Sequence, residues 1–231
     1  MRLRIRFAKM GRVRWTSHRD VARMWERALR RARLPVAYTE GFSPRSKLSF
    51  GLALPTGCES NAEYLDVALR EPVSPDEVTS TFSSLLPEGV DVVAAQVLPE
   101  GAGSLQEEVT SCRWEIGVPQ VGPGGLGEVI AAVLGAGVLP VTRERKGRPV
   151  TDDLRPSVLA LSSAGPCGTG SLLVAELGTR PRGVRPAELA QVMGIELGLA
   201  RRTNQWIERD GSRWEPLATP AADAAVWERA S

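Results

Sequence analysis

The sequence predicts an α+β protein made of two tandem ferredoxin-like (split βαβ) halves with antiparallel sheets. Three observations carry that expectation. Residues 2–8 alternate charged and apolar side chains with the period of a strand, and the next segment repeats apolar residues at helical spacing. Continued to residue 98, the chain reads strand, helix, strand, strand, helix, strand, which is the split βαβ order. A Gly- and Ser-bearing stretch, 99–106, then reads as a linker, and the same order returns over 107–209. The expected organisation is therefore 1–98, 107–209 and a tail, 210–231, with Trp227 as its one candidate anchor. At 42% apolar and 24% charged residues, the 231-residue chain has the composition of a globular protein.

In the first half, Arg2–Ala8 puts Leu3, Ile5 and Phe7 on one face and Arg2, Arg4 and Arg6 on the other. An all-Arg face reads either as a solvated edge or as part of a polyanion-binding surface. Gly11 turns the chain, and Thr16 or Ser17 caps a helix to about Leu34, with Ser17 and Asp20 forming a capping box with the shorter acid. Val21, Met24, Trp25, Ala28, Leu29 and Ala32 make its apolar stripe. At 100° per residue, Arg19, Arg23, Arg27 and Arg30 fall within about 80° on the opposite face. Only Glu26 interrupts their sign, whereas a face selected for solubility alone mixes charges.

Pro35 ends the helix, and residues 36–47 form a turn-rich loop. Ser43, Ser46 and the Gly41 amide are its donors, and Arg45 and Lys47 its charges. Tyr38 and Phe42 offer ring faces on which an unpaired base stacks; burial of both rings beneath the loop is the competing expectation. Leu48–Leu54 and Ala62–Leu69 read as strands, Ser74-Pro75 opens a helix to about Leu86, and Val90–Leu98 closes the half.

In the second half, Val109–Val118 reads as a strand and Gly124–Leu134 as a helix. Val138–Thr142 is a short strand leading into a basic loop, Arg143 to Arg148. Val158–Ser162 and Ser171–Leu177 are further strands, Pro186–Met193 is a helix and Gly198–Glu208 the last strand. Arg143, Arg145 and Lys146 read either as a second phosphate-binding cluster or as a solvated hairpin tip whose charges pair locally with acids such as Asp152 and Asp153. Gly122–Gly127 lacks the Gly-x-Gly-x-x-Gly pattern and reads as a plain loop.

The formal net charge of +2 is a near-cancellation. Residues 1–50 hold 14 of the 29 Lys+Arg but 3 of the 27 Asp+Glu, a balance of +11, and the other 181 residues stand at −9. Such asymmetry points to a polyanionic partner, nucleic acid above all. The candidate RNA-binding residues are Arg14, Arg19, Arg23, Arg27, Arg30, Tyr38, Phe42, Ser43, Arg45, Lys47, Arg143, Arg145 and Lys146.

His18 is the only histidine, and its ordinary pKa lies near neutrality. At the first turn of a basic helix it is the candidate catalytic base towards a ribose hydroxyl, with Tyr38, Arg45 or Lys47 beside the transition state. A hydrogen-bonding or capping role for His18 is the alternative. Cys58, Cys112 and Cys167 are odd in number and far apart, with no Cys-x-x-Cys. A His/Cys metal site, an iron–sulfur cluster or another cofactor within this chain is therefore not expected. No segment approaches the roughly 18 uninterrupted apolar residues of a membrane span, and residues 1–7 lack a signal-peptide run. The expected location is cytoplasmic, with no membrane partner.

Arg-Ile-Arg-Phe-Ala-Lys at 4–9, Thr-Ser-His-Arg-Asp at 16–20 and Glu-Arg-Ala-Leu-Arg-Arg-Ala at 26–32 resemble a known bacterial family. So do Leu-Pro-Val-Ala-Tyr-x-Glu-Gly-Phe-Ser-Pro at 34–44 and Leu-Ser-Phe-Gly-x-x-Leu-Pro-x-Gly-x-Glu-Ser at 48–60. Arg-Glu-Arg-Lys-Gly at 143–147, Asp-Leu-Arg-Pro at 153–156 and Val-Arg-Pro-x-Glu at 184–188 extend the likeness. The family is the radical-SAM-linked (radical-SAM-associated) group of unknown function, encoded beside or fused to a cobalamin-binding radical SAM protein. The resemblance implies a radical SAM protein as partner and an RNA-processing or modification context. Its members commonly read Phe-Asn-Pro-His-Pro where this chain has Phe42-Ser43-Pro44-Arg45-Ser46, so no metal or acid–base role resting on that histidine carries over. A looser likeness, in element order, to tandem ferredoxin-like RNA-processing proteins of CRISPR systems is an analogy of fold and carries no function.

The function expected from these readings is an RNA-binding accessory protein that presents RNA to a partner radical SAM enzyme, without catalysis of its own. Two alternatives stay open. One is a metal-independent endoribonuclease using His18; the other is a protein-only interaction module for the radical SAM partner.

Overall fold

The computed structural model describes residues 1–217, and within them it leaves out the side chain of Arg145; of the expected tail, residues 218–231, Trp227 among them, lie outside the described residues. The chain is mixed α+β. In order it forms β1 (Arg2–Lys9), α1 (His18–Arg31), β2 (Leu48–Phe50), β3 (Glu59–Ala68), α2 (Pro75–Thr81), β4 (Val90–Val97) and α3 (Leu105–Glu108). There follow β5 (Val109–Val118), α4 (Pro123–Gly135), β6 (Pro140–Arg145), β7 (Arg148–Asp153), β8 (Val158–Cys167), β9 (Gly170–Gly178), α5 (Pro186–Met193), β10 (Ala200–Arg209) and β11 (Ser212–Trp214). The described residues divide into two compact units, one of Met1–Val109 with Ile207–Leu217, the other of Thr110–Trp206. Among the described residues no helix is long and apolar enough to cross a membrane.

In the first unit the strands run β4-β1-β3-β2, all antiparallel. Leu3, Ile5 and Phe7 of β1 face a core completed by Val21, Trp25, Ala28 and Leu29 of α1, with Leu65 and Val67 of β3 and Val78 of α2. Phe7 meets the Trp25 ring edge-on at 5.0 Å, and Trp25 stacks on Phe82 at 6.3 Å. The alternation of β1 buries the residues it predicts, and of the stripe of α1 Val21, Trp25, Ala28 and Leu29 are buried while Met24 and Ala32 are half-buried. Truncating a buried aromatic such as Trp25 costs about 3–5 kcal/mol.

The other face of β1 departs from expectation. It is neither a solvated edge nor an exposed cationic strip, because β1 lies between β4 and β3. Arg4 is 2% exposed and pairs with Asp66, its register partner on β3, through Nε at 2.7 Å and Nη2 at 2.9 Å. Its Nη1 donates to the carbonyl of Pro216 at 3.1 Å. Arg6 donates to Glu215 at 2.8 Å and to the Asn61 carbonyl at 3.2 Å. Arg2 donates to the carbonyls of Ala102 and Gly103. The strand's arginines are thus consumed by carboxylates and carbonyls from segments distant in sequence, which no local pattern announces.

The same contacts fix segments read as a linker and a tail. Residues 99–106 are held by Arg2 and by Leu105, which is buried. Beyond β10, β11 folds back on it (Ile207 opposite Trp214), and Glu215 and buried Leu217 lie with the first unit. Other boundaries shift by local chemistry. α1 stops at Arg31, short of Leu34, as Arg33 takes a positive φ of 53° and the Leu34 amide donates to the Leu29 carbonyl. β2 is shorter than Leu48–Leu54, and α2 ends in a 3-10 turn over Phe82–Leu85.

In the second unit the order is β10-β5-β9-β8, again antiparallel where the register is given. α4 packs on β8 and β9, and α5 on α4. Trp114 and Ile116 of β5, Leu126 and Ile130 of α4, and Leu173 and Ala175 of β9 are buried. The basic loop read at 143–148 is instead the end of a separate two-stranded hairpin, β6 with β7, in which Arg145 lies opposite Arg148. Lys146 and Gly147 both take positive φ, 52° and 74°, as a two-residue hairpin turn matching strand twist requires.

The buried Arg4–Asp66 pair sets a stability prediction. Asp66→Ala leaves the Arg4 guanidinium desolvated without its counter-charge, and should lower unfolding free energy by about 3–5 kcal/mol. Chemical denaturation of both proteins at neutral pH measures it; a loss comparable to that of an ordinary surface substitution would contradict the assigned role.

Candidate nucleic-acid interface

The interface candidates in the first unit begin at the N-terminus of α1. Ser17 is the N-cap: its Oγ accepts from the Asp20 amide at 3.2 Å and donates to the Asp20 carboxylate at 2.7 Å. The Ser17 hydroxyl, with Arg23 and Arg19 nearby, holds the Asp20 carboxyl below the usual carboxylate range. The helix then presents Arg19, Arg23, Arg27 and Arg30 to solvent while Val21, Trp25, Ala28 and Leu29 are buried. Arg23 is paired with Asp20 at 3.2 Å in an exposed i,i+3 contact, and Arg30 Nε donates to the Glu26 carbonyl at 3.2 Å. Arg19 and Arg27 have no acidic partner within 4 Å among the described residues.

From α1 the chain passes through Pro35 and Val36, bridged to Leu69, into a small hairpin closed by Tyr38 and Ser46. The Thr39 amide donates to the Arg45 carbonyl at 2.9 Å, the Arg45 amide to Thr39 Oγ1 at 3.0 Å and the Lys47 amide to the Ala37 carbonyl at 2.8 Å. These bonds use the loop's backbone and leave its tip outside. Phe42 is fully exposed and Tyr38 is 43% exposed, so neither ring is buried beneath the loop. Ser43, Arg45 and Lys47 are exposed beside them. The hairpin therefore continues the cationic end of α1 with two accessible rings and two cations.

The turn that delivers α1 is built on buried charge. Lys9 Nζ, at the end of β1, donates to the carbonyls of Thr16 at 2.9 Å and Arg14 at 3.4 Å. Glu59 Oε1, at the start of β3, accepts from the Gly11 amide at 2.9 Å and faces Arg14 at 3.6 Å. Together they hold a 3-10 turn over Gly11–Trp15. Arg14 is thus partly committed to Glu59, while its guanidinium also lies 5.3 Å from the Trp15 ring centre. His18 is exposed; its ring meets Phe50 edge-on at 5.2 Å over a small pocket that Lys9, Glu63 and Tyr64 also line. No hydrogen-bond partner engages the imidazole among the described residues. Composition and spacing do not single out Lys9, Glu59 or Trp15, whose roles depend on tertiary contacts.

Arg143 and Lys146 lie in the second unit, on the β6–β7 hairpin. Arg143 Nε donates to Asp152 at 2.7 Å, and Arg182 joins the same carboxylate at 2.9 Å while reaching Glu188 at 2.9 Å. Arg143 first, and Arg182 after it, hold Asp152 below the usual carboxylate range. Lys146 is exposed at the turn; the Arg145 side chain lies outside what is described. Asp153 accepts the amides of Leu139 and Arg155 at 2.7 and 2.9 Å, and Arg155 donates to the carbonyls of Leu134 and Ala136 at the C-terminal end of α4 and of Val158 at the start of β8. The Asp-Leu-Arg-Pro motif at 153–156 is accounted for as a brace of this unit.

A mixed α+β protein with an arginine-faced helix and a cationic, aromatic hairpin is the class that fold and surface define. Residues 2–186 match the model of a family described as an uncharacterised protein conserved in bacteria, DUF2344, and the chain belongs to that family. No curated protein matches it.

The N-cap supplies a prediction with a defined sign. The Asp20 pKa is lowered on folding, so its contribution is complete above the unfolded value and is lost as pH falls through the folded one. Ser17→Ala should remove about 1 kcal/mol of stability as the cap to the helix backbone is lost. It should also move the Asp20 titration upward, which carboxylate chemical shifts followed from neutral to acidic pH will read.

Proposed function

We propose that the first unit binds RNA and that the protein presents this RNA to a partner radical SAM enzyme. Arg19, Arg23, Arg27 and Arg30 of α1, with Arg45 and Lys47 of the hairpin, contact phosphates; Tyr38 and Phe42 stack on unpaired bases and Ser43 donates to the backbone. The observation that carries this reading is the fully exposed Phe42, beside two exposed cations, on the hairpin that follows the arginine-faced helix α1 in the chain. An exposed aromatic set among cations suits a ligand that is at once polyanionic and rich in ring faces. In this reading the chain needs no cofactor of its own, and His18 has no chemical step to perform. The radical SAM partner enters through the resemblance of the motifs at 4–9, 16–20 and 26–60. We further read each unit as a split βαβ of the ferredoxin-like kind; the orders β4-β1-β3-β2 and β10-β5-β9-β8, equivalent when each unit's strands are numbered in turn with β6 and β7 set aside, support it.

The test is salt dependence. Six cations neutralising about six phosphates should make affinity fall roughly 10³-fold between about 50 and 200 mM salt. Arg23→Glu with Arg27→Glu should weaken binding and flatten that dependence, with His18→Ala close to wild type and bound RNA left intact. Salt-insensitive binding, or RNA no more enriched than background after crosslinking in cells, would contradict the proposal.

A further inference from the structure

We infer that Trp15 is a second base-stacking platform, at the opposite end of α1 from Phe42, so that the ligand is a single RNA strand laid along α1. This rests on the RNA-binding reading above and specifies the strandedness of its ligand.

Trp15 is 64% exposed, whereas Trp25 and Trp114 are buried. A large ring left in solvent forgoes the burial that tryptophan ordinarily obtains. The ring is also held in place. Gly57, at a positive φ of 90°, lies directly against it, and a Cβ there would stand 3.0 Å from the indole. The Gly57 amide donates to the Arg14 carbonyl at 2.9 Å, and Thr16 donates to the Val13 carbonyl through its amide at 3.0 Å and its hydroxyl at 2.6 Å. Backbone on both sides of Trp15 is therefore pinned. A ring supported this way loses little freedom on stacking, which lowers the cost of binding.

Position gives the platform its meaning. Trp15 immediately precedes the Thr16-Ser17 cap of α1, and the Tyr38–Ser46 hairpin follows the helix's other end. The 14 residues of α1 span about 21 Å at 1.5 Å each, the length of about six stacked nucleotides at 3.4 Å. Between the two ends, Arg19, Arg23 and Arg27 recur at intervals of about 6 Å along the axis. A duplex hides its base faces within the stack and cannot use either platform; an unpaired strand can use both.

The experiment compares the full chain with Trp15→Ala, Trp15→Phe, Phe42→Ala and Arg27→Glu. Each is titrated with a labelled oligouridylate of about 12 nucleotides and with an RNA duplex of the same length, read by fluorescence anisotropy. Wild type should prefer the single strand. Trp15→Ala should weaken it about tenfold and Trp15→Phe restore most of the loss, with thermal midpoints confirming that all are folded. The salt slope of Trp15→Ala should match wild type, while Arg27→Glu loses about 0.7 or more of slope. If Trp15→Ala binds like wild type while Phe42→Ala and Arg27→Glu are weakened, the platform is overturned and RNA binding stands. Preference for the duplex overturns the single-strand assignment. No RNA binding by wild type removes the underlying reading and this one with it.

Discussion

At the centre of the first unit's sheet, Arg4 lies buried against Asp66, its guanidinium on both carboxylate oxygens and on the carbonyl of Pro216. Two opposite charges out of water tolerate each other only with hydrogen bonds of this quality. The pair therefore demands its register: Arg4 opposite Asp66 places Leu3, Ile5 and Phe7 against α1, and a slip of one residue would put arginine into the apolar core. It also ties the segment at Pro216 to the first strand. Arg2 and Arg6 repeat the device with residues 102–103 and Glu215.

That arrangement redistributes the chain's charge surplus. Once the strand arginines are matched inside, the accessible cations of residues 1–50 are chiefly those of α1 and the hairpin after it. Their exposure follows from packing: α1 turns Val21, Trp25, Ala28 and Leu29 inward, so residues on the opposite arc must face solvent. Lys9 and Glu59 then set the angle at which the helix starts, by holding the carbonyls and amide of the preceding turn. Buried charge in this unit thus positions exposed charge, and an Arg-rich sequence acquires two populations with different physical roles.

The second unit spends its charges differently. Arg143, Asp152, Arg182 and Glu188 form one partly exposed network, and Arg155 satisfies carbonyls at the C-terminal end of α4, a place where a cation is also favoured by the helix dipole. Exposed pairs of this sort add little stability singly, but the network joins β6, β7 and the segment leading into α5. The motifs at 153–156 and 184–188 are explained by this bracing before any ligand is invoked. The motifs at 16–20 and 34–44 are not exhausted in that way, since much of what they display is solvent-facing.

Most elements were legible because local periodicity dictates them: β1, β5 and α5 lie within a residue of where spacing places them, and Ser17 and Ser74 cap as their side chains require. The α+β class, the apolar stripe of α1 and the solvent-facing arc of arginines follow from residue order alone, since a strand repeats every two residues and a helix every 3.6. Partnership across long sequence separation does not. That Arg4 is buried while Arg19 is free, that residues 210–217 return to the first unit, that β7 pairs with β6, and that Phe42 and Trp15 stand in solvent while Trp25 is enclosed are outcomes of tertiary packing. Charge and aromaticity are properties a residue carries by itself; whether they face water or a partner depends on which distant segment the fold brings against them.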